Sequence, residues 1–239
     1  MTQPSTPAPP SSASERVASP WIDPADRRVG ILGGTFDPIH YGHLVIAEEV
    51  REALRLDHVL FVPAPRPPHK LDDDIAAVAD RTAMVRLGIA GNSTFGISEI
   101  ELGRGGPSYT VDTMAELTTE AARQGTARDF FFIISAEAIA GLPGWHEPAR
   151  LLELTRLAVV PRPGWPLPDA SQLAAILPGG EASLGRVDCI ETLPLANSSS
   201  DVRARVAAGL SIRYLVPPAV EAYIRDHRLY RSDNTVRTA

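Results

Sequence analysis

From Arg27 onward, short apolar runs alternate with stretches of helical spacing. Residues 29–32 read as a buried strand ending in Gly33-Gly34. Residues 44–54 follow, with Leu44, Ala47, Val50, Ala53 and Leu54 on one helical face. Residues 58–62 form a second strand pattern. Residues 75–90 have helical spacing carried by Val78, Met84, Val85, Leu87 and Ile89. Residues 95–100 read as extended and 111–123 as helix. Residues 130–134 are the continuous apolar run of a central parallel strand. A further strand, 157–160, is stopped by Pro161-Arg162-Pro163-Gly164. Strands separated by helices of this length predict an α/β fold, Rossmann-like, whose open parallel sheet carries helices on both faces. A small C-terminal helical part completes the pattern. Residues 163–186, rich in Gly and Pro, read as a surface excursion, and no internal repeat is visible.

The chain ends read differently. Fifteen of the first twenty residues are Ser, Thr, Pro or Ala, and six of the 22 prolines precede Ala25. Such a segment buries too little apolar surface to offset its chain entropy. Residues 1–26 are therefore expected to be a disordered tail, 27–232 one α/β domain, and 233–239 a flexible C-terminus. The tail lacks the basic start and apolar run of a signal peptide. No stretch approaches the ~18 apolar residues of a membrane span, so no membrane is expected and the expected compartment is the cytoplasm. Lys and Arg number 23 against 29 Asp and Glu, a net charge of −6. That balance argues against a broad nucleic-acid-binding surface. One cysteine, Cys189, excludes an internal disulfide and a thiolate-rich zinc site. Of the 23 basic residues, 22 are arginine and one is Lys70.

The sharpest chemistry follows the first strand, in Gly33-Gly34-Thr35-Phe36-Asp37-Pro38-Ile39-His40-Tyr41-Gly42-His43. Ligands of open α/β sheets collect at the carboxyl ends of strands, near helix N-termini. Glycines there let a ligand approach the backbone, and a helix opening near Gly42 offers unpaired N–H groups to phosphate. His40 and His43, three apart, can face one anion and donate to its oxygens as charge grows. Plainer readings compete: a tight Gly-Gly turn, two surface histidines, or metal ligands together with Asp37. His-Glu-x-x-His, G-x-G-x-x-G and the P-loop are all absent from this segment. Further on, Ser198, Ser199 and Ser200 suit a helix cap ahead of residues 202–208. Arg203 in a first turn beside them would make a phosphate clamp. Asp37 and Glu48 read as structural or solvent-facing, and Asp72-Asp73-Asp74 as a solvated helix cap.

The Gly-Gly-Thr-Phe-Asp-Pro-Ile-His-x-Gly-His stretch resembles the signature of the nucleotidylyltransferase superfamily. Within it the chain is similar to bacterial nicotinate-nucleotide adenylyltransferases. Pro67-Pro68-His69-Lys70, Ser108-Tyr109-Thr110-Val111-Asp112-Thr113, Trp145-His146, Arg162-Pro163-Gly164 and Tyr214-Leu215-Val216-Pro217 match that family's elements in order. Tyr223-Ile224 and Leu229-Tyr230 follow them. Two elements depart. The family's Ile-Ser-Ser-Thr-x-x-Arg appears as Asn197-Ser198-Ser199-Ser200-Asp201-Val202-Arg203, and Ser135-Ala136-Glu137 stands where Gly-x-Asp is usual. A carboxylate there can accept from two ribose hydroxyls, and glutamate keeps that ability. The resemblance sets this element against the adenosine ribose, which would put the added Cβ of Ser135 where the backbone approaches the nucleotide.

The resemblance implies transfer of AMP from ATP to nicotinate mononucleotide, with Mg²⁺ carried by the triphosphate. It implies His40, His43, Lys70 and Arg203 as catalytic groups. ATP and its phosphates would be held by Gly33, Gly34, Thr35, Phe36, Gly42, Ser135, Glu137, Arg162, Ser198, Ser199 and Ser200. Ser108, Tyr109, Thr110, Trp145 and His146 would hold the nicotinate nucleotide, with Trp145 under the pyridine ring. Without the resemblance, an indole in a loop reads more readily as a core or interface anchor. Nicotinamide mononucleotide, a phosphopantetheine-type acceptor and a non-catalytic nucleotide-binding regulator are the alternatives. The expected partners are these small molecules, and a homo-oligomer is left open.

Overall fold

The computed structural model describes residues 23, 25–65, 75–104 and 108–231. Six parallel strands form one sheet: β1 (Arg28–Gly34), β2 (His58–Pro63), β3 (Phe95–Ile97), β4 (Asp129–Ser135), β5 (Arg156–Val160) and β6 (Val187–Cys189). Their order across the sheet is β3-β2-β1-β4-β5-β6. Eight helices connect and flank them: α1 (Tyr41–Ala53), α2 (Val78–Ile89), α3 (Thr110–Arg123), α4 (Ala136–Ile139), α5 (Pro148–Leu154), α6 (Ala170–Ile176), α7 (Ser199–Ala207) and α8 (Pro218–Asp226).

Alternation along the strands builds two cores, one on each face. Leu32, Phe61, Phe131, Ile133, Ala158 and Val160 point to the face covered by α1, α2, α7 and α8. Val29, Ile31, Leu60, Val62, Phe130, Phe132, Ile134, Leu157 and Val159 point to the other, under α3, α4, α5 and α6. This is the expected α/β fold. Its C-terminal helices are part of one covering layer, because Val202, Val220 and Ile224 are buried in the same cluster as α1 and α2. No helix among the described residues is long and apolar enough to cross a membrane.

Several boundaries differ from the spacing, each for a physical reason. The first helix begins at Tyr41, three residues before the apolar stripe, and Ala53 ends it exposed. Its opening turn contains Gly42 and His43, which apolar periodicity cannot register. The second begins at Val78 rather than 75, and Val78 and Leu87 are both 37% exposed. The third strand is three residues long, not six. Residues 163–186 are more than a surface excursion. Asp169 caps α6 with a reciprocal Gln172 contact, Leu173 and Leu177 are buried, and the segment leads into β6 at the sheet edge.

Strand order reverses at β1, whose neighbours are β2 and β4. A crevice opens at such a switch point, beyond the carboxyl ends of the two diverging strands. Here those ends are Gly33-Gly34 and Ser135. Topology alone therefore brings together two sequence elements a hundred residues apart.

Candidate active site

The segment after β1 is held from beneath. Phe36 adopts a left-handed backbone (φ 48°), and its side chain is 2% exposed. Its ring meets Phe61 at 5.7 Å and the His43 ring edge-on at 5.0 Å. Phe36 thus supports a histidine from the core, and its side chain is not presented to ligand. Truncating so buried a phenyl ring costs about 3–5 kcal/mol in comparable cores.

His40 is the extended residue that opens α1, and its ring stacks on His43 with centroids 3.8 Å apart. The His40 backbone N–H donates to His43 Nδ1 at 3.3 Å. An Nδ1 that accepts leaves the proton of a neutral imidazole on Nε2. Burial lowers the His40 pKa to about 4, with the nearby Arg162 charge adding to the effect and Asp201 opposing it. Burial, then His40 and Arg162, holds His43 well below the usual histidine range. Both rings are neutral at pH 7. Gly42 makes the stack fit, because a Cβ there would lie 2.9 Å from two His40 ring atoms. The helix start is less open than the sequence implies. The Tyr41 N–H donates to the Leu215 carbonyl and the His43 N–H to the His40 carbonyl. Gly33 and Gly34 line the end of β1, and the Thr35 carbonyl accepts from Arg81 at 2.6 Å.

Helix α7 is stitched to this loop. Ser198 is its N-cap, accepting from Asp201 N–H and donating its hydroxyl to the Asp201 carboxylate at 2.6 Å. The Ser199 hydroxyl donates to the Pro38 carbonyl at 2.9 Å. Two of the three serines expected to donate to phosphate have therefore committed their only hydroxyl hydrogen to protein. Ser200 instead accepts from Arg203 Nη2, and its hydroxyl hydrogen has no acceptor among the described residues. Arg203 is the fifth helical residue, beyond the first turn. Its Nη1 donates to the Asp37 carbonyl at 2.7 Å.

On the β4 side, Ser135 caps α4 by accepting the Ala138 N–H at 3.2 Å. A cap explains why serine serves where glycine was expected. Glu137 pairs with Arg162, so the expected ribose carboxylate and the arginine of the Pro-Arg-Pro-Gly turn face each other. Farther along, the Tyr109 and His146 rings lie 4.4 Å apart, with Tyr109 42% exposed. Trp145 is half-buried, its indole edge-on to Phe132 at 6.2 Å, so it is also a core anchor. Thr110 begins α3, and Ser108 accepts from Arg104 at 3.3 Å. Lys70 and the Asp72-Asp73-Asp74 run lie outside the described residues.

Three positions escaped the sequence reading. Arg81 is 1% exposed, and its guanidinium reaches the carbonyls of Thr35, Ala64, Pro65 and Ala76. Glu101, its carboxyl raised chiefly by burial, accepts from the Thr113 hydroxyl at 2.7 Å and steadies the start of α3. Tyr230 donates to the Asp37 carboxylate at 2.7 Å. Only the last stood in a recognised motif. A buried arginine carries no local signature.

Residues 31–205 match the family model described as cytidylyltransferase-like. A protein of Roseiflexus sp. (strain RS-1) named "Probable nicotinate-nucleotide adenylyltransferase" is 48% identical over 203 residues, 85% of this chain and 98% of its own. Its namesake in Thermomicrobium roseum is 43% identical over 205 residues, 86% of this chain and 92% of its own. Among solved structures, Plasmodium falciparum nicotinic acid mononucleotide adenylyltransferase complexed with NaAD superposes with a TM-score of 0.68 at 19% identity. It covers 85% of this chain and 97% of that one.

Proposed function

The chain belongs to the cytidylyltransferase-like family, and we propose that it transfers AMP from ATP to nicotinate mononucleotide. The products are nicotinate adenine dinucleotide, a precursor of NAD, and pyrophosphate. The observation that carries this reading is the neutral His40–His43 stack at the switch point. It sits in a chain that matches nicotinate-nucleotide adenylyltransferases along nearly their whole length.

The acceptor's 5′-phosphate is already an anion, so the reaction needs alignment and hydrogen-bond donors rather than a general base. His43 Nε2–H, its tautomer set by the His40 backbone, donates to the phosphate at which bonds form and break. His40, Arg203, Arg162, the Ser200 hydroxyl, the Thr35 hydroxyl and Lys70 share the triphosphate. The Gly33-Gly34 and Gly42 backbone leaves room for it. Glu137 exchanges Arg162 for the ribose hydroxyls when nucleotide binds. Ser108, Tyr109, Thr110, Trp145 and His146 receive the nicotinate nucleotide, with its ring on the aromatic faces. No group of three or more His, Cys, Asp or Glu residues stands ready for a metal among the described residues. We place Mg²⁺ with the substrate: it would enter bound to ATP and would neutralise charge on the triphosphate.

Pyrophosphate release tests the proposal when ATP is offered with nicotinate mononucleotide, nicotinamide mononucleotide or phosphopantetheine. The expected kcat/KM is highest for nicotinate mononucleotide. A preference for phosphopantetheine, or no release with any acceptor, overturns it.

A further inference from the structure

Beside the pyridine end lies a clasp of polar side chains to which the proposed reaction gives no part. Glu101 and Arg104 belong to one turn ahead of α3, closed by the Arg104 N–H donating to the Glu101 carbonyl at 3.2 Å. Both side chains converge on Thr113, which is 2% exposed. Its hydroxyl donates to Glu101 Oε1 at 2.7 Å and accepts from Arg104 Nη1 at 3.3 Å. The same Arg104 nitrogen donates to the Ser108 hydroxyl at 3.3 Å, and Nη2 pairs with Glu116 at 2.6 Å. Burial raises the Glu101 carboxyl, while Thr113, Ser108 and Arg104 each favour its charged form. The Thr113 N–H in turn donates to the Tyr109 carbonyl at 3.2 Å. One turn thus grips residues 108 and 113, and the chain between them carries Tyr109 and Thr110.

We propose that Glu101 and Arg104 are positioning residues that set the affinity for the acceptor nucleotide, by fixing the Ser108–Thr110 segment through Thr113. Tyr109 is 42% exposed, with the His146 ring against its own. An exposed side chain that must be ordered on binding costs affinity, and a pre-organised backbone lowers that cost. The clasp supplies the order from the buried side, with charge-assisted hydrogen bonds that are shorter and stronger than neutral ones. Without Glu101, the Thr113 hydroxyl has the Tyr109 carbonyl as its other acceptor, at 3.4 Å. The backbone that carries the aromatic face would then be pulled toward α3. The proposal rests on the placement of Ser108, Tyr109 and Thr110 against nicotinate mononucleotide. The groups proposed for ATP stand on other elements, so the clasp acts on one substrate.

Thr113→Val removes the hydroxyl and keeps the branched shape. KM for nicotinate mononucleotide rises about tenfold, the scale of one hydrogen bond to a charged group. Turnover and KM for ATP stay near wild type. Thr113→Ser keeps the hydroxyl and restores the wild-type KM. Glu101→Gln keeps an acceptor without the charge. Because charge-assisted bonds are about twice as strong as neutral ones, it raises the same KM about threefold. Calorimetric titration of each variant with nicotinate mononucleotide reads the same losses without turnover. Unchanged affinity for that nucleotide in Thr113→Val and Glu101→Gln overturns the proposal. An equal loss of affinity for ATP also overturns it, since that marks a purely structural role, as does a Thr113→Ser variant as weak as Thr113→Val. A wild-type protein that binds ATP and no nicotinate mononucleotide instead overturns the proposed acceptor, whatever the variants do.

Discussion

The two ends of the candidate site are built differently. At the phosphate end, His43, Ser199 and Arg203 are fixed by hydrogen bonds to or from backbone atoms of the same short loop, and the His40 ring is held by its stack on His43. Phe36 braces His43 from the core. At the pyridine end, Tyr109 and His146 lean on each other at the surface, and Trp145 is half-buried against Phe132. For the proposed reaction, the phosphate end is pre-organised for charge that must be stabilised at one point. The pyridine end presents aromatic faces whose fit to a flat ring tolerates adjustment. Substitutions at the first end should therefore act on turnover, and those at the second on substrate affinity.

The largest expected effect is His43→Ala. Loss of one pre-organised donor lowers kcat by about 10²–10³-fold, and steady-state kinetics at saturating substrates would reveal it. A change confined to KM would show that the phosphate end binds without catalysing. A second consequence concerns stability. Burial holds the pKa of folded His40 at about 4, against an ordinary histidine value of 6.5. Between those values the unfolded chain holds more protons, so stability is fully present above pH 6.5 and falls on acidification toward 4. His40 contributes up to about 3 kcal/mol to that fall. Denaturant unfolding of wild type and His40→Gln at several pH values checks it. Equal slopes would remove His40 as a source.

Gly42→Ala tests the fit of the stack, since the new Cβ would meet the His40 ring at 2.9 Å. Displacing a reacting group by about 1 Å costs on the order of 10² in kcat. Wild-type turnover would show that the ring yields without consequence. The smallest effect belongs to the other end. Tyr109→Ala should raise KM for nicotinate mononucleotide about tenfold, the scale of one stacking contact, and leave kcat and KM for ATP nearly unchanged. A fall in kcat alone would erase the distinction between the two ends.

The same contrast governs what could be read from the chain itself. Strands and helices were legible because their signal is local: alternating or 3.6-residue periodicity over a dozen positions. His40 and His43 were legible because they sit together in one motif that follows a strand. Arg81 was not, since polar spacing gives no sign that a guanidinium will be buried by carbonyls from three separate segments. Ser199 shows the opposite failure. Its place in a recognised motif suggested a phosphate donor, yet its hydrogen is taken by Pro38, 161 residues away. The start of α1 was legible from the Gly-and-His motif rather than from apolar spacing, because its first turn is built from glycine and histidine. Sequence pattern reports which residues are available, and long-range contacts decide which atoms remain free.

The central claim is that neutral histidine donors at the switch point drive adenylyl transfer to nicotinate mononucleotide. Chromatographic measurement of nicotinate adenine dinucleotide and pyrophosphate tests it most directly, with wild type and His43→Ala side by side. The account predicts equimolar products from wild type and at least about a hundredfold slower formation by the variant. Absence of the dinucleotide from the wild-type reaction, or equal rates for the two proteins, would contradict it.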